Sequence, residues 1–355
     1  MTPAPSGQRI VAFDWLRGLA VLFMIQCHAL VLLRVEHKTE PFFRWLLRLD
    51  GLVAPAFIFA AGFSLALVQV RGANAGTRTV RLKKTLRRIG EVLAVATLVN
   101  WMWFPIFREP IWLIRLDILH CIGLSLLIAL PLLSWLAPKP NVLRWATVVL
   151  AALVFGVSPL VEQTEGVAAY FLNGKKGAVF PLLPWAGYVY LGASAGASAG
   201  MGGLKSLVRW LLGLAAVGGA LWIASKPMEQ LYPAHNFWVT NPANAAQRWT
   251  LVIGIVLVLL FLEQRKPSWT QNFAFRFATV FGTSSMAAYF FHEALLYYRL
   301  FGWGFSFNAW WGEKCDWPKY WALTALLIGS TYVLVLLWEP LYRRFDKKLS
   351  AWLLR

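Results

Sequence analysis

Asp14, Arg17 and His28 stand in the stretch FDWLRGLAVLFMIQCH, residues 13–28, which is otherwise apolar enough for the interior of a bilayer. On a helix advancing ~100° per residue, Asp14 falls ~40° and Arg17 ~20° from the direction of His28, so all three share one face. A rise of ~1.5 Å per residue sets Arg17 and His28 ~16 Å apart, one near each boundary of a span. Gly18, directly after Arg17, permits close approach of another backbone or of a ligand. Asp14 and Arg17 can simply be an i,i+3 pair that anchors the helix end, with His28 packing at the other. Three ionisable groups on one face weaken that reading, because lipid penalises each of them.

Further polar residues interrupt apolar runs. RLDILHCIG carries Asp117 and His120 three residues apart, and FGTSSMAAYFFHEALLYY carries His292 and Glu293; Asn100 lies inside another run. A neutral imidazole, with a pKa of ~6.5, takes a proton from a hydroxyl or amine near neutral pH, which makes His28 a candidate general base. His120 with Asp117, or His292 with Glu293, can polarise a carbonyl or stabilise an oxyanion. A polar network that only fixes helix register is the alternative. Two or three histidines and a carboxylate can in principle ligate zinc. H-E-x-x-H spacing is absent, so no metal is expected. Ser284 and Ser285 lack a nucleophile elbow.

The elements that must position these groups are membrane helices. The chain of 355 residues is 59% hydrophobic and 14% charged, with a mean hydropathy of +0.57. That composition predicts an all-α, polytopic integral membrane bundle. Spans of ~20 residues fit near 12–33, 51–70, 89–107, 112–136, 143–161, 179–200, 206–225, 248–264, 276–300 and 319–341, about ten in all, or eleven. Residues 1–355 read as one integral domain, with 1–8 disordered and no cleavable signal peptide. The net charge of +18 does not point to nucleic acid, since no basic domain stands outside the apolar segments. Arg71, Arg78, Arg81, Lys83, Lys84, Arg87 and Arg88 crowd one short connection without an acid. This positive-inside signal, repeated at Lys205, Arg209, Arg265, Lys266 and the basic tail, predicts that both termini are cytoplasmic. Cys27, Cys121 and Cys315 have no metal-ligand spacing. The small-residue stretch GASAGASAG, 192–200, suits helix packing within the chain or in a homodimer.

The motif Asp14-x-x-Arg17-Gly18, followed ten residues later by His28, resembles the first-helix signature of transmembrane acyltransferases, shared by the acyltransferase-3 family. DILHCIGLSLLI, FPLLPWAGYVYLGASAG and FGTSSMAAYFFHEALLYY are similar to segments of the bacterial branch related to heparan-alpha-glucosaminide N-acetyltransferase. The resemblance implies transfer of an acyl group, acetyl by default, from cytoplasmic acyl-CoA to an extracytoplasmic acceptor, a glycan or glycolipid with a sugar hydroxyl or amine. It also implies a multi-pass protein of the bacterial inner membrane, with His28 as the catalytic histidine and Asp14 and Arg17 as its polar pair. Donor phosphates need cations, for which Arg17, Arg81, Lys84, Arg87 and Arg88 are candidates. The runner-up is a transporter or flippase with an intramembrane proton or substrate path, for which Pro181 and Pro184 would mark a broken helix.

Overall fold

The computed structural model describes residues 9–103, 115–265, 268–269, 272–298 and 306–353. The expected disorder of residues 1–8 and Lys266 lie outside the described residues, as do parts of the spans drawn at 89–107, 112–136 and 276–300. The chain is 84% helical with no strand among the described residues. Helices of ten or more residues are numbered α1 (Ala12–Ala29), α2 (Pro41–Asp50), α3 (Val53–Asn74), α4 (Arg78–Trp103), α5 (Ile118–Leu136), α6 (Pro140–Val161), α7 (Leu182–Ile223), α8 (Pro242–Arg265), α9 (Phe273–Thr283), α10 (Ser285–Tyr297) and α11 (Trp317–Leu353). Among the described residues, seven helices are long and apolar enough to cross a membrane.

One of those seven is two. Within α7, Gly202 (φ −135°, ψ 20°) and Gly203 (φ 62°, ψ −153°) leave helical geometry. The Ser198 hydroxyl meets that of Ser206 at 2.9 Å, and Trp210 Nε1 donates to the Ser194 hydroxyl at 3.0 Å. These pairs are centred on residue 202, so α7 is an antiparallel helical hairpin that turns where only glycine takes the left-handed conformation easily. Its two arms match the expected spans at 179–200 and 206–225. Pro181 is the N-cap and Leu183 is still extended. Both prolines therefore sit at the start of the first arm, where proline belongs, and do not break it.

The basic connection at 71–88 is mostly helix. Only residues 75–77 separate α3 from α4, and they form a Schellman turn: Gly76 has φ 67°, Thr77 N–H donates to Gly72 O at 2.9 Å and Gly76 N–H to Ala73 O at 3.3 Å. Arg, Lys and Leu are strong helix formers, so the cations ride on the first turns of α4. The span expected at 276–300 is likewise interrupted, at Ser284 (φ −115°, ψ 31°), which divides α9 from α10.

The chain divides into two compact units, Ala54–Trp101 with Pro105–Val258 and Val11–Val53 with Leu259–Arg355. In the larger, α3 and α7 touch backbone to backbone, because a Cβ at Gly62 would strike Val189 O and one at Gly192 or Gly196 would strike Phe59 O or Phe63 O. The GASAGASAG stretch thus packs within the chain. In the smaller unit, α1 packs against α9, α10 and α11.

Candidate active site

The smaller unit holds α1 in register at both ends. Helix starts expose unpaired N–H groups, and here the Glu263 carboxylate accepts from Val11 N–H and Ala12 N–H at 2.9 Å each. Trp15 Nε1 donates to the Thr279 hydroxyl at 3.1 Å. A Cβ at Gly18 would run into Ala278 O, and one at Gly282 into Asp14 O. The close approach expected at Gly18 is therefore made by the backbone of α9. Arg17 Nη2 donates to Asp14 Oδ1 at 2.7 Å and its Nε to Phe13 O at 3.3 Å. Near the far end, the Gln26 amide donates to the Tyr320 hydroxyl, which donates to Gln26 O, both at 2.9 Å.

That registration brings His28 onto α10. His28 Nδ1 lies 2.6 Å from Glu293 Oε1 and 2.9 Å from His292 Nε2, and His292 Nε2 lies 3.4 Å from the same carboxylate oxygen. His292 is fully buried; its Nδ1 is 2.8 Å from Ala288 O, which can only accept. The proton of His292 is thereby assigned to Nδ1 and its lone pair to Nε2. With two acceptors facing it, His28 Nδ1 carries the proton, and Nε2 of that ring is the basic nitrogen. The His28 side chain is 33% exposed, with the buried carboxylate and the second imidazole packed against its Nδ1 side.

Two groups near this cluster were not singled out from the sequence. The Tyr297 hydroxyl donates to His28 O at 3.3 Å. Asp50, the last residue of α2, is buried beside Cys27 and Gln26 and acts electrostatically on His28. Neither of its oxygens has a well-formed hydrogen bond among the described residues. Asp50 was legible as a charge at the head of the apolar run DGLVAPAFIFAAGF, but its position beside a span made it look like loop. On the same side of the sequence, His37 Nδ1 and Trp317 Nε1 hydrogen-bond the two oxygens of Glu40 at 2.7 and 2.8 Å. First the His37 bond, then that of Trp317, hold the Glu40 carboxyl below its ordinary range.

The remaining candidates belong to the larger unit. Asp117 is the N-cap residue of α5, with extended backbone (φ −95°, ψ 176°), and not a helical i,i+3 neighbour of His120. It still acts on His120 electrostatically. His120 is buried, 3.4 Å from the Thr97 hydroxyl through Nε2, and its Nδ1 has no hydrogen-bond partner among the described residues. Asn100 is spent on structure, its amide donating to Arg115 O at 3.0 Å. Among the cations, Arg81 packs at Gly72, while Arg87 and Arg88 pair with Glu91 at 3.2 and 3.1 Å. Glu91 lies just past the acid-free run and was missed for that reason. Lys84 is exposed on α4.

A multi-pass helical membrane protein with a histidine–carboxylate centre at the end of its first helix is the class these features define. The family of heparan-alpha-glucosaminide N-acetyltransferase, catalytic, matches residues 9–237, and the chain belongs to that family. Family membership carries a transmembrane acetyltransferase type of function. No curated protein matches the chain. The matched segment contains Asp14, Arg17, His28, Asp50, Asp117 and His120; His292 and Glu293 come after it.

Proposed function

We propose that the protein transfers an acetyl group from cytoplasmic acetyl-CoA to a hydroxyl or amine of an extracytoplasmic glycan or glycolipid, with His28 as general base. The observation that carries this reading is the 2.6 Å contact between His28 Nδ1 and Glu293 Oε1. A carboxylate on one imidazole nitrogen fixes the tautomer and stabilises the imidazolium that forms when the other nitrogen takes a proton. The acceptor O–H or N–H gives its proton to His28 Nε2 as its heteroatom attacks the thioester carbonyl. The tetrahedral intermediate collapses with loss of the CoA thiolate, and the imidazolium returns the proton to that sulfur. Glu293 remains ionised throughout and needs no proton of its own.

Donor phosphates fit the basic start of α4. Arg81 and Lys84 supply a fork and a point donor there, Arg87 and Arg88 are shared with Glu91, and Arg17 is engaged by Asp14. The basic connections favour cytoplasmic termini in a bacterial inner membrane, with residues 226–247 outside. Labelling a cysteine placed at His235 only from the outer side supports that orientation; labelling only from the cytoplasmic side contradicts it.

The reaction is tested by incubating membranes that contain the protein with acetyl-CoA labelled in its acetyl group, then isolating whatever carries the label. A labelled glycan that disappears with His28→Ala is the expected result. Equal labelling by wild type and variant removes His28 from the chemistry.

A further inference from the structure

The cluster that holds His28 also has the make-up of a divalent-cation site. Three ligand atoms, His28 Nδ1, His292 Nε2 and Glu293 Oε1, all lie within 4.8 Å of one another, with separations of 2.6, 2.9 and 3.4 Å. Two imidazoles and a carboxylate form a recurrent zinc donor set, with an open fourth position in sites that do chemistry. His292 carries the usual supporting contact, its other nitrogen bonded to the backbone carbonyl of Ala288 at 2.8 Å, which aims the Nε2 lone pair inward. In the metal-free arrangement two lone pairs, on His292 Nε2 and Glu293 Oε1, compete for the single proton on His28 Nδ1. A dication satisfies all three atoms at once. Opening the two short separations to the ~3.3 Å edge of a tetrahedron around zinc needs shifts of about half an ångström, within side-chain rotation.

Asp50 is an independent observation that points the same way. It is a buried carboxylate beside Cys27 and Gln26 that interacts electrostatically with His28, and neither of its oxygens has a well-formed hydrogen bond among the described residues. A buried carboxylate is costly to ionise, and a cation near it lowers that cost.

We propose that His28, His292 and Glu293 form a zinc site whose occupancy switches the base off. Ligation through Nδ1 moves the His28 proton to Nε2, so the ring is held in the tautomer that cannot accept a proton from an acyl acceptor. The zinc site itself needs only the geometry; the inhibitory consequence rests on the acyl-transfer reading. The two fail separately.

Zinc bound to purified full-length protein is measured by calorimetry and by metal analysis after gel filtration, with ZnCl₂ as the probe. One zinc per chain is expected in the wild type, and Glu293→Gln, which keeps shape and removes charge, is expected to weaken it at least ~10-fold. Because His292 is fully buried and His292→Ala threatens folding, Co²⁺ supplies a second readout. Tetrahedral visible bands in the wild type that vanish in Glu293→Gln support the site, and His235→Ala is expected to leave them unchanged. No retained zinc in the wild type, or equal affinity in wild type and Glu293→Gln, overturns the proposal whether or not the protein transfers acetyl groups.

Discussion

His28 and His120 are both histidines near one end of a membrane helix, both inside the segment that matches the family, and their surroundings differ sharply. His28 has a carboxylate at 2.6 Å and a second imidazole at 2.9 Å, on a helix locked to its neighbours by two glycines and a doubly bonded N-terminus. His120 has one long contact of 3.4 Å to a threonine, and Nδ1 lacks a partner among the described residues. A base needs a fixed tautomer and a nearby charge to stabilise its protonated form, and only the first histidine has both. Chemical type alone, an imidazole with a carboxylate three residues or one helix away, does not separate the two.

The widest separation between them is expected from truncation. His28→Ala should lower acetyl transfer by ~10²–10⁴, whereas His120→Ala should cost less than about tenfold, as expected when a side chain lacks a positioned partner. Rates of label transfer by equal amounts of folded protein decide this, and equal losses would end the distinction. Next, Glu293→Gln should lower the rate by about 10² by removing the charge that stabilises the imidazolium. Asp117→Asn should leave it within a few-fold. Gly18→Ala tests the framework instead of the chemistry: it forces α1 away from Ala278 and should cost roughly 1–3 kcal/mol by overpacking, read as a lower melting temperature in detergent. Arg17→Ala should lower folded yield by leaving the buried Asp14 without its 2.7 Å partner. Unchanged yield with weaker binding of a non-hydrolysable acetyl-CoA analogue would instead return Arg17 to the donor site.

The smallest effect concerns pH. Glu40 titrates below its ordinary 4.5 in the folded chain. Its hydrogen bonds to His37 and Trp317 therefore contribute stability above the unfolded value, and that contribution is lost as pH falls through the lowered folded value. Proteolysis of the 34–41 segment should accelerate only below about pH 4.5, and Glu40→Gln should flatten that response.

Much of the architecture was legible because lipid leaves few options: long apolar runs become helices, and a described helix stands in each of the ten intervals drawn from hydropathy, although those in 89–107 and 276–300 are not among the seven long and apolar enough to cross a membrane. Breaks inside runs were harder. Gly202–Gly203 lay between two expected spans and announced a turn, while the break between α9 and α10 at Ser284 falls in the cluster Gly282-Thr283-Ser284-Ser285, a weaker signal inside an apolar run that hydropathy read as one span. The Schellman turn at Gly76 was hidden under a charge pattern that reads as loop. For the site, residue types and depth placed His28, His292 and Glu293 in one discussion, but nothing local says that residues separated by more than 260 positions share a proton. Asp50 and Glu91 escaped because each stands just outside the window in which its partners were sought.

The restraints on α1 also order events in time. Its N–H groups are met by residue 263, its tryptophan by residue 279, its histidine by residue 293 and its glutamine by residue 320. All of these emerge from the ribosome more than 230 residues after the helix they complete. Such long-range closure is slow compared with local helix formation. The first helix must therefore wait, inserted and with its polar face unmatched, until the last helices arrive. A fragment limited to residues 9–237, though it contains the whole family match, would carry His28 without the carboxylate and imidazole that meet it. Ribosome-stalled chains released before residue 293 should enter the membrane and stay inactive, and the cell's quality-control proteases should see them as substrates.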